Sequence, residues 1–118
     1  THTSYQESCI QTAQAIAEKL KIEPFRYTVS FQSRLGRQEW LQPYTSTVLK
    51  TLAAQGTKKI LVLCPSFVAD CLETVHEIGI EAKEEFCHAG GRELHLVKCP
   101  NADPNWVKGL KNMILRTL

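Results

Sequence analysis

The chain has 118 residues, of which 43% are hydrophobic and 22% charged, a composition that predicts one globular domain and excludes a disordered segment. No apolar run approaches the roughly 18 residues of a membrane span and no segment resembles a signal peptide, so we expect a soluble, cytoplasmic protein. The net charge is +2 with scattered basic residues, which disfavours a nucleic-acid-binding protein. Because the chain opens at Thr1 directly into a helix, we expect it to be a fragment of a longer polypeptide.

The first part of the chain is predicted to form two helices separated by a strand and a long loop. Apolar residues recur at helical spacing from Tyr5 to Leu20, and the stretch Tyr27–Phe31 is rich in aromatic and β-branched residues that favour a strand. The segment Gln32–Thr45 has no sustained period and is predicted to be a loop, and loops that follow strands often carry function. Thr45 is expected to cap the next helix, which ends near Ala54.

The second part is predicted to alternate strands and helices. Lys59–Cys64 is a nearly unbroken apolar run, typical of a central strand covered on both faces of a parallel sheet. A helix follows from Phe67 to Glu85, then a strand nearer an edge from Glu93 to Lys98, then a helix capped by Asp103. The order α-β-α-β-α-β-α predicts an α/β fold, a doubly wound parallel sheet flanked by helices, because parallel strands need crossover connections. Ligands of such folds bind beyond the carboxyl ends of strands, where the long loop and the third helix both begin.

The helix from Phe67 to Glu85 is predicted to have an acidic side and a core-facing side. At about 100° per residue, five carboxylates fall within an arc of roughly 80°; they are Asp70, Glu73, Glu77, Glu81 and Glu84. The predicted core side consists of Val68, Cys71, Leu72, Val75 and Ile78. Like charges at this spacing oppose helix formation, so the row is either a solvated surface or a site where cations or hydrated metal ions offset the repulsion.

Two stretches of the sequence resemble ferrochelatase, the enzyme family that inserts ferrous iron into a porphyrin in haem biosynthesis. They are FQSRLGRQEWLQPYT at 31–45 and CPSFVADCLETVHEIGIE at 64–81, and a looser similarity covers nearly all the rest, including AGG at 89–91. The resemblance implies that residues 1–118 are the carboxyl-terminal ferrochelatase domain of a bacterial enzyme whose amino-terminal half is absent here. It also implies a two-lobed chelatase-like fold, of which this chain is one half, around a porphyrin cleft.

The resemblance implies a catalytic role for Glu73, which corresponds to the glutamate of the family motif A-D-x-x-E-T. In the family this carboxylate faces a histidine from the other half across the porphyrin, and further acids continue outward. Glu77 and Glu81 are therefore implied to form a path for Fe²⁺ or protons. The sequence leaves open whether Glu73 accepts a proton or binds the metal. The four histidines are expected to be structural or solvated, and periodicity places His76 off the acidic arc.

The long loop is implied to contribute porphyrin contacts. Trp40 corresponds to the family tryptophan that lines the porphyrin cleft. On composition alone, an indole that anchors the loop by packing is about as good an interpretation. Gln32, Ser33 and Arg34 are implied to add polar contacts, with Arg34 pairing with a propionate. The porphyrin is expected to be protoporphyrin IX or coproporphyrin, and the sequence does not distinguish them.

The five cysteines are odd in number and include no CxxC pair, which disfavours a disulfide framework. Some ferrochelatases bind a [2Fe–2S] cluster through four thiolates, and YQESC at 5–9 resembles the end of a cluster-binding segment in one bacterial subgroup. The resemblance therefore makes Cys9 a candidate cluster ligand. For the other four cysteines, free buried thiols are the favoured interpretation.

Several functions stay open at this point. The leading hypothesis is an intact ferrochelatase in which residues 1–118 alone are inactive, because the facing histidine belongs to the other half. The alternatives are a chelatase for another tetrapyrrole or metal, such as cobalt or nickel, and a non-catalytic tetrapyrrole- or metal-binding module. The resemblance also allows peripheral contact with a membrane, although no amphipathic basic helix favours it.

Overall fold

The computed structural model describes residues 2–32 and 41–118, and its elements follow the predicted alternation of helices and strands. In chain order they are α1 (His2–Lys19), a short 3₁₀ turn (Pro24–Arg26), α2 (Thr45–Ala54), β1 (Lys59–Val62), a π-helix (Leu72–Ala82), α3 (Lys83–His88), β2 (Glu93–Leu96) and α4 (Pro104–Thr117). The helices and the parallel strand pair confirm the α/β class.

The sheet consists of β1 and β2, which pair in parallel with Lys59 opposite Glu93. The π-helix and α3 form the crossover between them, as a parallel connection requires. The predicted strand Tyr27–Phe31 makes only an isolated bridge, from Phe31 to Tyr44, and does not join this sheet in the described residues. That strand prediction was wrong because β propensity identifies segments that can form strands but does not identify the neighbouring strand with which each would pair.

One hydrophobic cluster lies between α2, the crossover and β2. Its buried members are Leu49, Ala53, Ile78, Ala82, Phe86 and Leu94. Phe86 is completely buried, and Gly91 lies so close to its ring that a Cβ atom at Gly91 would overlap it. The chain therefore turns from α3 into β2 directly over this ring. This packing holds the crossover, and with it the acidic segment, against the sheet.

Some apolar faces stay open in the described part of the chain. Leu61 of β1 is 72% exposed, and no residue of α4 is buried. The expectation that β1 is a central strand covered on both faces was therefore wrong for this chain. An apolar run indicates that a strand can be buried, but it does not indicate which part of the sequence supplies the element that covers it.

Local sequence signals located several helix ends correctly. The predicted bounds of α2 match the structure, although Tyr44 occupies the cap position and Thr45 is the first helical residue. Asp103 caps α4 as predicted, because its Oδ1 accepts hydrogen bonds from the backbone N–H groups of Asn105 at 2.9 Å and Trp106 at 3.2 Å. Among the described helices, none combines the length and apolarity that crossing a bilayer requires.

Candidate functional site

The acidic segment winds as a π-helix over Leu72–Ala82, in place of the α-helix predicted from Phe67 to Glu85. Only Lys83–His88 continues as an α-helix. A π-helix is rare, occurs mostly as a single turn, and is frequent at functional sites. Eleven consecutive residues in this winding therefore single out the segment as the candidate site.

The winding changes which side chains face the core. Every fourth residue of the π-helix is buried, namely Thr74, Ile78 and Ala82. The predicted core residues Val68, Leu72 and Val75 are instead at least half exposed. The predicted core side was confirmed at Ile78, which is buried, and was wrong at these three residues. Val68 precedes the helix, and Leu72 and Val75 lie off the buried face because i→i+5 hydrogen bonds close a wider turn than that of an α-helix.

A buried threonine fixes the start of the π-helix. The Thr74 hydroxyl oxygen accepts a hydrogen bond from the Cys71 N–H at 3.0 Å, and the hydroxyl is 3.1 Å from the Cys71 carbonyl oxygen, to which it donates. Thr74 is fully buried, so these bonds are shielded from water. They hold the first turn, and thus the backbone of Glu73, in place. The sequence analysis missed this role, for which the only signal was a threonine three residues after the cap position.

Asp70 is not part of the acidic row, contrary to the prediction. It precedes the helix, and its carboxylate accepts hydrogen bonds from the Cys99 N–H at 3.1 Å and the Asn101 amide at 2.9 Å. The bond from Asn101, and to a smaller extent that from Cys99, holds the pKa of Asp70 below its ordinary value of 3.8. Asp70 therefore ties the segment before the π-helix to the loop after β2.

We expect Asp70→Asn to make folding less sensitive to acid. Because the folded-state pKa of Asp70 is depressed, its contribution to stability is complete above the ordinary pKa of 3.8 and is lost as the pH falls through the lower folded value. Urea midpoints measured from neutral pH down to about pH 2 should therefore fall less steeply for the variant than for the parent protein. Parallel curves for the two proteins would contradict this assignment.

The acidic row of the structure consists of Glu73, Glu77 and Glu81, which recur every four residues beside the buried row. All three side chains are exposed, so the row lies on a surface of the described chain. A hydrogen bond from the Cys71 side chain, followed by one from the Glu73 backbone N–H, holds the pKa of the Glu73 carboxyl below its ordinary value. The row begins, therefore, with a group that stays ionised at neutral pH.

Gln32 reaches this row from a distant part of the chain. Its Nε2 donates to the backbone oxygen of Glu73 at 2.8 Å and to Oε2 of Glu77 at 3.0 Å. Phe31 is held beside it by the bridge to Tyr44, in which the Phe31 N–H donates to Pro43 O at 2.9 Å. The structure therefore brings one of the predicted porphyrin-binding residues to the predicted catalytic helix.

His76 also contacts the row, although periodicity placed it off the acidic arc. Its Nδ1 lies 3.0 Å from Oε1 of Glu81, and both side chains are more than half exposed. The two residues are five positions apart, which is the spacing that one turn of a π-helix brings together. His76 is solvated, as expected, but its placement away from the acidic residues was wrong because it assumed α-helical winding.

Three predicted porphyrin contacts, Ser33, Arg34 and Trp40, lie outside the described residues, and their roles stay predictions. Cys9 is half-buried on α1. Within residues 2–32 and 41–118, no group of three or more His, Cys, Asp or Glu side chains is arranged to hold a metal ion. The described residues therefore do not form a complete [2Fe–2S] site, which needs four thiolates, and Cys9 as a single ligand stays a prediction.

The remaining four cysteines are free thiols that differ in burial. Cys64 and Cys71 are half-buried and Cys99 is buried, as expected for free core thiols, whereas Cys87 is exposed. Burial, followed by the nearby Cys99, Cys71 and Asp70, raises the pKa of the Cys64 thiol to about 11. A thiol with a raised pKa is a poor nucleophile and metal ligand at neutral pH.

Comparison with known proteins gives a consistent match. The family model described as Ferrochelatase matches residues 1–118. A ferrochelatase from Ectopseudomonas mendocina is 53% identical over 109 residues, which are 92% of this chain and 32% of the relative. A ferrochelatase from Pseudomonas syringae pv. tomato is 54% identical over 114 residues, which are 97% of this chain and 34% of the relative. One from Pseudomonas fluorescens is 52% identical over 114 residues, which are 97% of this chain and 33% of the relative. The chain thus spans about a third of the length of the relatives it matches.

Proposed function

Because this chain belongs to the ferrochelatase family, we propose that the longer protein containing it inserts Fe²⁺ into a porphyrin in haem biosynthesis. The observation that carries the proposal is the row of exposed carboxylates on the π-helix, Glu73, Glu77 and Glu81. Oxygen ligands of this kind exchange divalent ions quickly and also accept protons. A surface that carries such a row suits a reaction in which a cation arrives and protons leave.

Metalation of a porphyrin exchanges two pyrrole N–H protons for one divalent ion, so the carboxylates must handle both. Glu73 is exposed, and its pKa lies below the ordinary value of 4.5, so its carboxylate is anionic at neutral pH like that of any solvated glutamate. An anionic group attracts the incoming cation, and any proton it accepts passes readily to a stronger base or to water. We therefore assign Glu73 to the reacting centre and Glu77 and Glu81 to the transfer of ions or protons between the centre and bulk solvent.

The rest of the site lies partly beyond this chain. A histidine from the amino-terminal half faces Glu73 across the porphyrin, while Trp40 provides an apolar plane and Ser33 and Arg34 polar contacts. The substrate is protoporphyrin IX or coproporphyrin, and the enzyme acts in the cytoplasm or at the membrane periphery. Cys9 as one ligand of a [2Fe–2S] cluster completed by other cysteines stays a prediction.

A metalation assay with several metals and porphyrins tests the proposed function. The full-length protein should insert Fe²⁺ with a higher kcat/KM than Co²⁺ or Ni²⁺, with protoporphyrin IX and coproporphyrin compared side by side. Residues 1–118 alone should show no turnover, because the facing histidine is missing. A preference for Co²⁺ or Ni²⁺ would favour a chelatase for another metal, and tight porphyrin binding without metalation would favour a non-catalytic binding module.

A further inference from the structure

Gln32 occupies a position from which it can order the acidic row. The residue before it, Phe31, is fixed by the bridge to Tyr44, in which the Thr45 N–H donates to the Phe31 carbonyl oxygen at 2.8 Å. Gln32 itself is half-buried. Its side chain therefore extends from an anchored point to a helix that begins 40 residues later in the sequence.

The amide of Gln32 uses its nitrogen for two contacts on the same helix. One is the backbone oxygen of Glu73 at 2.8 Å and the other is Oε2 of Glu77 at 3.0 Å. A primary amide carries two N–H donors, so this nitrogen has no further donor to offer. A porphyrin propionate is a hydrogen-bond acceptor and needs a donor, which disfavours the propionate contact that a polar residue here would otherwise suggest.

The contact with Glu77 orders an exposed carboxylate without neutralising it. A lysine or arginine in the same place would form an ion pair and reduce the negative charge of the row, whereas an amide is neutral. The amide holds one oxygen of Glu77, Oε2, and the other, Oε1, has no hydrogen-bond partner among the described residues. The neighbouring Glu81 is contacted differently, by the imidazole of His76.

We propose that Gln32 is a positioning residue that holds Glu77 in the orientation for divalent-cation transfer and does not contact the porphyrin. This inference rests on the proposed function, since it assigns Glu77 to the path of the metal. It predicts that loss of the Gln32 amide affects metal handling, acts through Glu77, and leaves porphyrin binding unchanged.

The test is a double-mutant cycle in the full-length protein with Gln32→Met, which has a similar length but no donor, and Glu77→Gln. Gln32→Met should raise the KM for Fe²⁺ about tenfold, the effect of losing one hydrogen bond to a charged group, and leave the KM for porphyrin within about twofold. In the Glu77→Gln background, Gln32→Met should cause no further change in the KM for Fe²⁺. Gln14→Met, at an exposed glutamine of α1, is the matched control and should behave as the parent protein.

A binding measurement separates this inference from the proposed function. Calorimetric titration with Co²⁺ alone measures the affinity of the protein for the metal. Gln32→Met should reduce this affinity about tenfold in the parent protein but should not reduce it in the Glu77→Gln background. Additive effects of the two substitutions, a raised KM for porphyrin, or absence of Co²⁺ binding by the parent would overturn the role of Gln32. If the parent binds Co²⁺ with this coupling yet metalates no porphyrin, the proposed function fails while the positioning role stands.

Discussion

Glu73→Gln in the full-length protein is expected to lower the rate of porphyrin metalation by about 10²–10⁴-fold, the range for loss of a positioned acid–base group. The amide keeps the size and hydrogen-bonding shape of the carboxylate but cannot take up a proton or offer an anionic ligand. Hydrogen bonds from Cys71 and from its own backbone hold the pKa of Glu73 below its ordinary value, so the native group is charged at neutral pH. Steady-state metalation with Fe²⁺ and porphyrin measures the loss.

The matched control for this substitution is Glu85→Gln, at another exposed glutamate of the same acidic segment but on α3 and outside the row. It removes the same charge from the surface, so a similar loss in both variants would mean that only the overall negative field attracts the metal. Near-normal turnover of Glu73→Gln would remove Glu73 from the reacting centre.

Thr74→Val is expected to lower the free energy of unfolding by about 1–3 kcal/mol, the usual cost of leaving a shielded backbone group without its partner. Valine has nearly the same shape as threonine but cannot accept the hydrogen bond that the Cys71 N–H donates at 3.0 Å. The Cys71 carbonyl oxygen is less affected, because it also accepts from the Thr74 and Val75 N–H groups. Urea unfolding measures the change.

Thr12→Val on α1 serves as the control for this prediction. The Thr12 hydroxyl also donates to a backbone oxygen, that of Ser8 at 2.9 Å, but on an exposed helix face where water replaces it. The control should therefore change the free energy of unfolding by no more than about 0.5 kcal/mol. Equal effects at the two positions would show that burial of Thr74 does not set the strength of its hydrogen bonds.

The sequence located most elements because their signals are local. The apolar spacing of α1, the bounds of α2 and the capping aspartate before α4 depend on residues within a few positions of one another. The acidic segment was identified for the same reason, since a run of glutamates is visible without knowledge of the fold. Its winding was not, because a repeat of apolar residues every three to four positions fits an α-helix and does not reveal i→i+5 hydrogen bonds.

The sequence by itself determined the α/β class, the family, and the three glutamates of the row, although it also assigned Asp70 and Glu84 to it. Only the tertiary structure decided that the row follows a π-helix, that Asp70 is tied to Asn101 instead, and that Gln32 contacts Glu77 across 45 positions of sequence. The physical reason is one of range. Backbone propensity and side-chain periodicity act between near neighbours, whereas the partner of an exposed carboxylate depends on which distant segment packing brings within hydrogen-bond distance.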